Sequence, residues 1–262
     1  MTGQKLFVAG NWKMNGLKAD LKEIEAVKAG LQPSDPDVAV FPPFTLISAA
    51  ARVAEGSPII VGGQDCRAEA KGAFTGDISA PILKDAGATA VIVGHSERRS
   101  LHGETSADVK AKASAALKAG LTAVICIGET KDERIAGLAG SVCSRQVAES
   151  LPEESTPDRV IVAYEPVWAI GTGLSPTTPD ITEIHELVRR ELHGRFPASA
   201  GKRWRVLYGG SVTAANAASI FESEEVDGAL VGGASLNAAS FLGIIAAGRE
   251  ASGRRGLAAK TA

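Results

Sequence analysis

The sequence predicts an α/β protein folded as a closed (β/α)8 barrel, and three observations carry that prediction. Short runs rich in β-branched and apolar residues recur eight times along the 262 residues. Stretches of helical periodicity separate them. The runs also lack the polar alternation of a half-exposed sheet, which suits parallel strands covered on both faces. Eight such units favour closure over the structural alternative, an open doubly wound sheet.

In chain order the strands are read at Leu6–Trp12, Val38–Phe41, Ile59–Gln64, Ala90–Gly94, Thr122–Ile127, Val160–Glu165, Arg205–Gly209 and Gly228–Val231. Helical patterns cover Leu17–Leu31, Ser106–Ala119, Ile181–Phe196 and Ala214–Phe221. In the first, Leu21, Ile24, Val27 and Leu31 fall three or four apart, making one buried stripe between charged flanks. Residues 1–248 read as a single barrel domain, since barrels of this kind run to about 250 residues. Residues 249–262, rich in Ala, Gly and Arg, read as a flexible, frayed tail.

Composition narrows the function classes. A hydrophobic fraction of 45% supports a core that needs no metal or disulfide staple. The formal net charge of −2 gives no electrostatic reason to expect nucleic acid as a partner. The longest apolar runs, Ala90–Val93 and Leu242–Ala247, fall far short of the roughly 20 residues of a membrane span, so no membrane partner is expected. The N-terminus shows no secretory signal. Cys66, Cys126 and Cys143 form no CxxC pair, which points to a reduced, cytoplasmic compartment. No HExxH or paired metal-ligand spacing, Walker loop, complete GxGxxG or GxSxG elbow is present, so neither a metal nor a cofactor is expected.

Barrel enzymes place their chemistry at the C-terminal ends of the strands. Five polar clusters fall there: Gly10–Lys13, Gly94–Arg98, Tyr164–Pro166, Tyr208–Ser211 and Val231–Gly233. Closure brings to one rim a cation, an imidazole, one or two carboxylates and two glycine pairs. Helices are read from Ala214 and Leu236, just beyond those pairs. Backbone N–H groups there form the usual phosphate grip of this fold. His102, His185 and His193 lie away from strand ends and read as structural or surface residues. Arg98 and Arg99 read as ion-pair partners.

The segments Val8–Asn15 (VAGNWKMN), Gly94–Arg99 (GHSERR) and Ala163–Gly173 (AYEPVWAIGTG) resemble the signature segments of the triose-phosphate isomerase family. Gly72–Asp77, Cys126–Glu129, Tyr208–Val212 and Leu230–Leu236 are similar to further family segments, in the same order. The resemblance runs from about Leu6 to Ala247 and implies the TIM barrel. It implies that Glu165 is the base, His95 the electrophile and proton shuttle, Lys13 the positive charge, and Asn11 an orienting group. Glu97 stands beside them, either linked to Lys13 or transferring protons. Gly171, Ser211, Gly232 and Gly233, with Asn11 and Lys13, would bind a phosphorylated sugar. Pro166–Gly173 would be a lid, Cys126 would pack behind Glu165, and the Asp65–Ser79 loop would enter a partner subunit of a homodimer.

The chain departs from the family pattern at Asp65 (commonly Asn), at Asp77 (commonly Glu) and through Leu174–Pro179 after the lid. The implied reaction interconverts dihydroxyacetone phosphate and D-glyceraldehyde 3-phosphate through an enediol(ate). The rivals are the same chemistry on a four-carbon erythrulose phosphate and a non-catalytic sugar-phosphate-binding barrel. A glycosidase using Glu97 and Glu165 is disfavoured, because aromatic residues are only 5% and few stand at strand ends to stack on sugar rings.

Overall fold

Alternation along the strands decides the architecture. In a computed structural model describing residues 5–170, 176–199 and 201–261, the strands are β1 (Phe7–Asn11), β2 (Asp37–Phe41), β3 (Ile60–Gly63), β4 (Ala90–Val93), β5 (Thr122–Ile127), β6 (Val160–Tyr164), β7 (Arg205–Tyr208) and β8 (Gly228–Val231). They pair in sequence order and close, with β1 parallel to β8 as well as to β2. Phe7, Ala9, Ala39, Phe41, Ile92 and Leu207 belong to a cluster drawn from alternate positions around the ring, which fills the barrel. Their neighbours Val8, Val38, Val40, Val91, Val93 and Val206 join the larger core between barrel and helices. Strand residues are therefore buried on both faces, which is why the sequence shows apolar runs instead of alternation.

The helices are α1 (Leu21–Gly30), α2 (Ile47–Ala54), α3 (Ala80–Asp85), α4 (Ser96–Leu101), α5 (Ser106–Lys118), α6 (Lys131–Ile135), α7 (Ala139–Ser150), α8 (Thr178–Arg195), α9 (Ala217–Ile220) and α10 (Ala238–Thr261). Three of them begin with a reciprocal capping box: Thr105 with Asp108, Thr130 with Glu133, and Thr177 with Asp180. Each satisfies two N–H groups that a helix start leaves open. All eight expected strands recur: β5 and β8 match, β2 starts one residue earlier, and the others are one or two residues shorter.

The β7–β8 seam is closed largely by one carboxylate. Asp227 accepts from the Val206 N–H at 2.9 Å and from Arg189 Nη2 at 2.8 Å, while Arg203 Nε reaches its other oxygen at 2.7 Å. Arg189, on α8, also donates to the Trp204 carbonyl at 2.7 Å. One buried ion cluster thus locks α8 to both strands whose ends carry the glycine pairs.

Two expectations are corrected. The helix read from Ala214 begins only at Ala217, because Asn216 folds residues 213–216 into a turn: its Oδ1 accepts the Thr213 N–H and its Nδ2 donates to the Ser211 carbonyl. The segment from 249, read as a frayed tail, instead continues α10 to Thr261. Ala and Arg are strong helix formers, and two of the arginines find partners. Arg249 pairs with Asp35 at 2.7 Å, and Arg255 Nη2 caps the carbonyls of Phe221, Ser223 and Val226.

Candidate active site

Asn11 ends β1, and two residues later the backbone of Lys13 turns left-handed, with φ of 54°. A β-carbon in that region costs roughly 1–2 kcal/mol. Two side chains offset it: Asn11 Oδ1 accepts the Lys13 N–H at 3.0 Å, and Gln64 Nε2 donates to the Lys13 carbonyl at 2.9 Å and to the Phe41 carbonyl at 2.7 Å. Held this way, the Lys13 ammonium reaches Glu97 Oε1 at 2.6 Å. Of the two roles left open for Glu97, the link to Lys13 is the one this geometry displays.

His95 follows the Gly94 turn after β4 and caps α4. Its Nδ1 accepts the Glu97 N–H at 3.2 Å, which assigns the ring proton to Nε2. That Nε2 lies 2.9 Å from Glu165 Oε1. Burial works to lower the pKa of His95, but Glu165 and Glu97 outweigh it and the net shift is upward while Glu165 sits beside the ring. A proton on Nδ1 would face the Glu97 N–H directly, so the pair is a neutral imidazole donating to a carboxylate.

Glu165 stands one residue beyond β6 and is 2% exposed. Burial pushes its carboxyl up, yet His95, the Ser96 N–H at 2.9 Å and the more distant Lys13 together hold it below the ordinary value. It is therefore an ionised carboxylate within a buried site. Glycines flank it on both neighbouring strand ends. A β-carbon at Gly128 would lie 1.7 Å from the Glu165 carbonyl oxygen, and one at Gly209 would lie 2.8 Å from its Cγ. Cys126 packs behind it as expected, with burial pushing the thiol well above its usual value.

Asn11, Lys13, His95 and Glu165 line one cavity of about 320 Å³. Its other side is formed by Gly210, Ser211, Gly232 and Gly233, so the expected phosphate residues and the reactive groups share a single space. A short 3-10 turn, Gly233–Leu236, opens there, and the first N–H groups of such a turn have no acceptor within it. Gly171, Thr172, Gly173 and Leu174 lie outside the described residues. Of the expected lid, Val167–Ala169 forms a 3-10 turn and Ile170 lines the cavity.

Sequence reasoning assigned no role to Gln64 or Glu129. Glu129 is fully buried and accepts from the Tyr164 hydroxyl at 3.1 Å and from Trp168 Nε1 at 2.8 Å, tethering the lid's indole to β6. Its place in the Cys126–Glu129 segment, a carboxylate just past a strand end, was the available signal. Arg98 pairs with Asp65 and Glu104 as expected. Arg99 does not form the expected ion pair: it donates to the Gly94 and Cys126 carbonyls and to the Ser106 and Ser150 hydroxyls, with no carboxylate within ion-pair distance among the described residues. Two backbone carbonyls and two hydroxyls take its hydrogen bonds, and Glu104, Glu165 and Glu149 act on it only from farther away.

A family model described as triosephosphate isomerase matches residues 6–248. The chain is 57% identical over 239 residues to a triosephosphate isomerase of Afipia carboxidovorans, covering 90% of this chain and 95% of that protein. It is 54% identical over 250 residues to one from Ruegeria pomeroyi, covering 95% and 100%. Among solved structures, the triosephosphate isomerase of Bartonella henselae superposes with a TM-score of 0.87 at 44% identity, over 94% of this chain and 99% of that one.

Proposed function

Because the chain belongs to the triosephosphate isomerase family and is thereby an aldose–ketose isomerase of glycolysis, we propose that it interconverts dihydroxyacetone phosphate and D-glyceraldehyde 3-phosphate with Glu165 as base and His95 as electrophile. The observation that carries this reading is the 2.9 Å contact between His95 Nε2 and Glu165 Oε1 at the wall of one cavity. Glu165 takes the proton from the carbon beside the carbonyl and returns it to the neighbouring carbon. The Nε2–H that now meets Glu165 is the donor that a substrate oxygen takes over, so charge growing on that oxygen meets a fixed donor. Lys13 adds positive charge to the enediolate and Asn11 orients the substrate. Glu97 is a positioning residue that holds the Lys13 ammonium.

Ser211, Gly232 and Gly233, joined by Gly171, bind the phosphate. Pro166–Gly173 closes as a lid that keeps water from the enediolate. A homodimer through the Asp65–Ser79 loop is part of the same proposal. That loop is organised within the chain: Arg67 stacks over the Phe74 ring at 3.9 Å and pairs with Glu69 and Asp77. Met14 and Leu17, beside Lys13, are 96% and 75% exposed, which suits a surface awaiting a partner. Among the described residues no helix is long and apolar enough to cross a membrane; a reduced cytoplasmic setting fits the three free cysteines.

A coupled assay with dihydroxyacetone phosphate, run on the unmodified protein and on Glu165→Ala, tests this. The unmodified protein turns over and the variant does not; equal rates, or no turnover in either, overturn the reading. An erythrulose phosphate assayed in parallel decides the chain length of the substrate.

A further inference from the structure

Asn216 stands directly before α9, where a helix N-cap stands, yet its side chain caps nothing in that helix. An asparagine there ordinarily accepts the N–H of the second or third helical residue. This one turns back along the chain instead. Its Oδ1 accepts the Thr213 N–H at 2.7 Å and the Thr213 hydroxyl at 3.2 Å, while its Nδ2 donates to the Ser211 carbonyl at 3.1 Å. Ser211, Val212 and Thr213 line the substrate cavity, and Asn216 grips them from outside it.

The stretch so held runs between two anchors. At its start the Gly209 N–H donates to the Tyr164 carbonyl at 2.7 Å, and at its end stands the Asn216 side chain. Val212 is buried between them. The N–H groups of Gly210, Ser211 and Val212 meet no acceptor among the described residues. Successive backbone N–H groups left open beside a cavity suit the oxygens of an anion. Gly209 and Gly210 give this stretch a freedom that binding an anion must remove, and a hold from outside removes it beforehand. The turn's own backbone does not need the amide, because the Asn216 and Ala217 N–H groups both reach the Thr213 carbonyl, at 3.3 and 3.0 Å. The Asn216 side chain therefore bears on the shape of residues 211–213 and not on the start of α9.

We propose that Asn216 is a positioning residue for the substrate's phosphate, setting the Ser211–Thr213 stretch in its anion-binding shape before a ligand arrives. The inference rests on the reading that this side of the cavity holds phosphate. Asn216 acts only through Ser211 and Thr213, so its influence falls on the phosphate end of the substrate and not on the proton transfer between Glu165 and the substrate carbons.

The test compares the unmodified full chain with Asn216→Ala, Asn216→Asp and Ser219→Ala. It reads the inhibition constant of inorganic phosphate, and kcat/KM on D-glyceraldehyde 3-phosphate beside kcat/KM on D-glyceraldehyde, which lacks the phosphate. Asn216→Ala removes both arms of the hold, and should weaken inorganic phosphate and lower kcat/KM on the phosphorylated substrate, each roughly tenfold. Turnover of D-glyceraldehyde should be unchanged. Asn216→Asp keeps the acceptor but sets a carboxylate oxygen against the Ser211 carbonyl, so it should lose at least as much. Ser219→Ala, which removes only a bond to the Asn216 carbonyl, should match the unmodified protein. Unchanged phosphate inhibition in either Asn216 variant overturns the proposal, as does an equal loss on D-glyceraldehyde or the same loss in Ser219→Ala. An unmodified protein that turns over the phosphorylated substrate no better than D-glyceraldehyde defeats the phosphate reading itself.

Discussion

His95 Nε2 lies 2.9 Å from Glu165 Oε1 while the opposite ring nitrogen accepts the Glu97 N–H at 3.2 Å. The two hydrogen bonds fix both the tautomer and the facing direction of the ring. Burial pushes the Glu165 carboxyl up, but the His95 contact, with the Ser96 N–H and Lys13, outweighs it and holds Glu165 below the ordinary carboxylate range. A base with a lowered pKa is ionised wherever the fold survives, so the acid limb of kcat/KM should fall below the usual Glu value of about 4.3. A pH–rate profile checks this; an acid limb near neutral pH contradicts it.

Lys13 depends on Gln64 for its left-handed backbone. Gln64→Leu leaves the Lys13 carbonyl without this donor and the Phe41 carbonyl with only the Trp12 N–H, loosening the backbone that aims the Lys13 ammonium. Since an ångström of misplacement costs roughly a hundredfold, kcat/KM should drop by about ten- to a hundredfold. Circular dichroism should be unchanged. Steady-state kinetics showing a loss below twofold would remove Gln64 from the account.

Gly209 and Gly128 make different forecasts. A methyl at Gly209 meets the Glu165 Cγ at 2.8 Å and the Tyr164 carbonyl oxygen at 3.2 Å, whereas at Gly128 it meets the Glu165 backbone carbonyl oxygen at 1.7 Å. Gly209→Ala should therefore lower kcat with a smaller loss of thermal midpoint than Gly128→Ala. Gly128→Ala should destabilise the fold itself, and differential scanning calorimetry alongside kinetics separates the two.

His185 tests linkage at a buried group outside the site. Its Nδ1 bonds the Glu225 carbonyl, its Nε2 has no hydrogen-bond partner among the described residues, and burial lowers its pKa to about 4. The unfolded chain takes up this proton near pH 6.5, so it binds more protons than the native state across that interval. Stability is full above pH 6.5 and is lost as pH falls toward 4, by about 2 kcal/mol between pH 7 and 5. Urea unfolding of His185→Gln should show a flatter pH dependence by that amount.

Arg189 offers a structural check on the seam beneath the phosphate side. Arg189→Met leaves Asp227 buried with one cation fewer, and should cost about 3–5 kcal/mol in denaturant unfolding.

Much of the barrel was legible because its strands are apolar on both faces, as parallel strands covered by helices are, and because eight such units favour closure over an open sheet. The reactive groups were legible for a related reason: Lys13, His95 and Glu165 are polar residues standing where buried strands stop. Gln64 and Glu129 carried no such mark. Their roles arise across 51 and 39 positions of chain, through a carbonyl and an indole that no local pattern announces. The start of α9 was misplaced because the Asn216 turn competes with a helix in a way apolar spacing does not report. Arg99 read as an ion-pair residue from its charge alone, and only packing shows that carbonyls and hydroxyls take its hydrogen bonds.

Glu165→Gln tests the central claim most directly, since it keeps the shape of the side chain and its hydrogen bonding to Ser96 but removes the base. General-base catalysis contributes roughly a hundred- to ten-thousandfold, so kcat on dihydroxyacetone phosphate should fall by at least that lower figure while inorganic phosphate still binds as it does to the unmodified protein. A variant that turns over at the unmodified rate with phosphate binding intact would contradict the assignment of Glu165, and with it the mechanism built on the His95 contact.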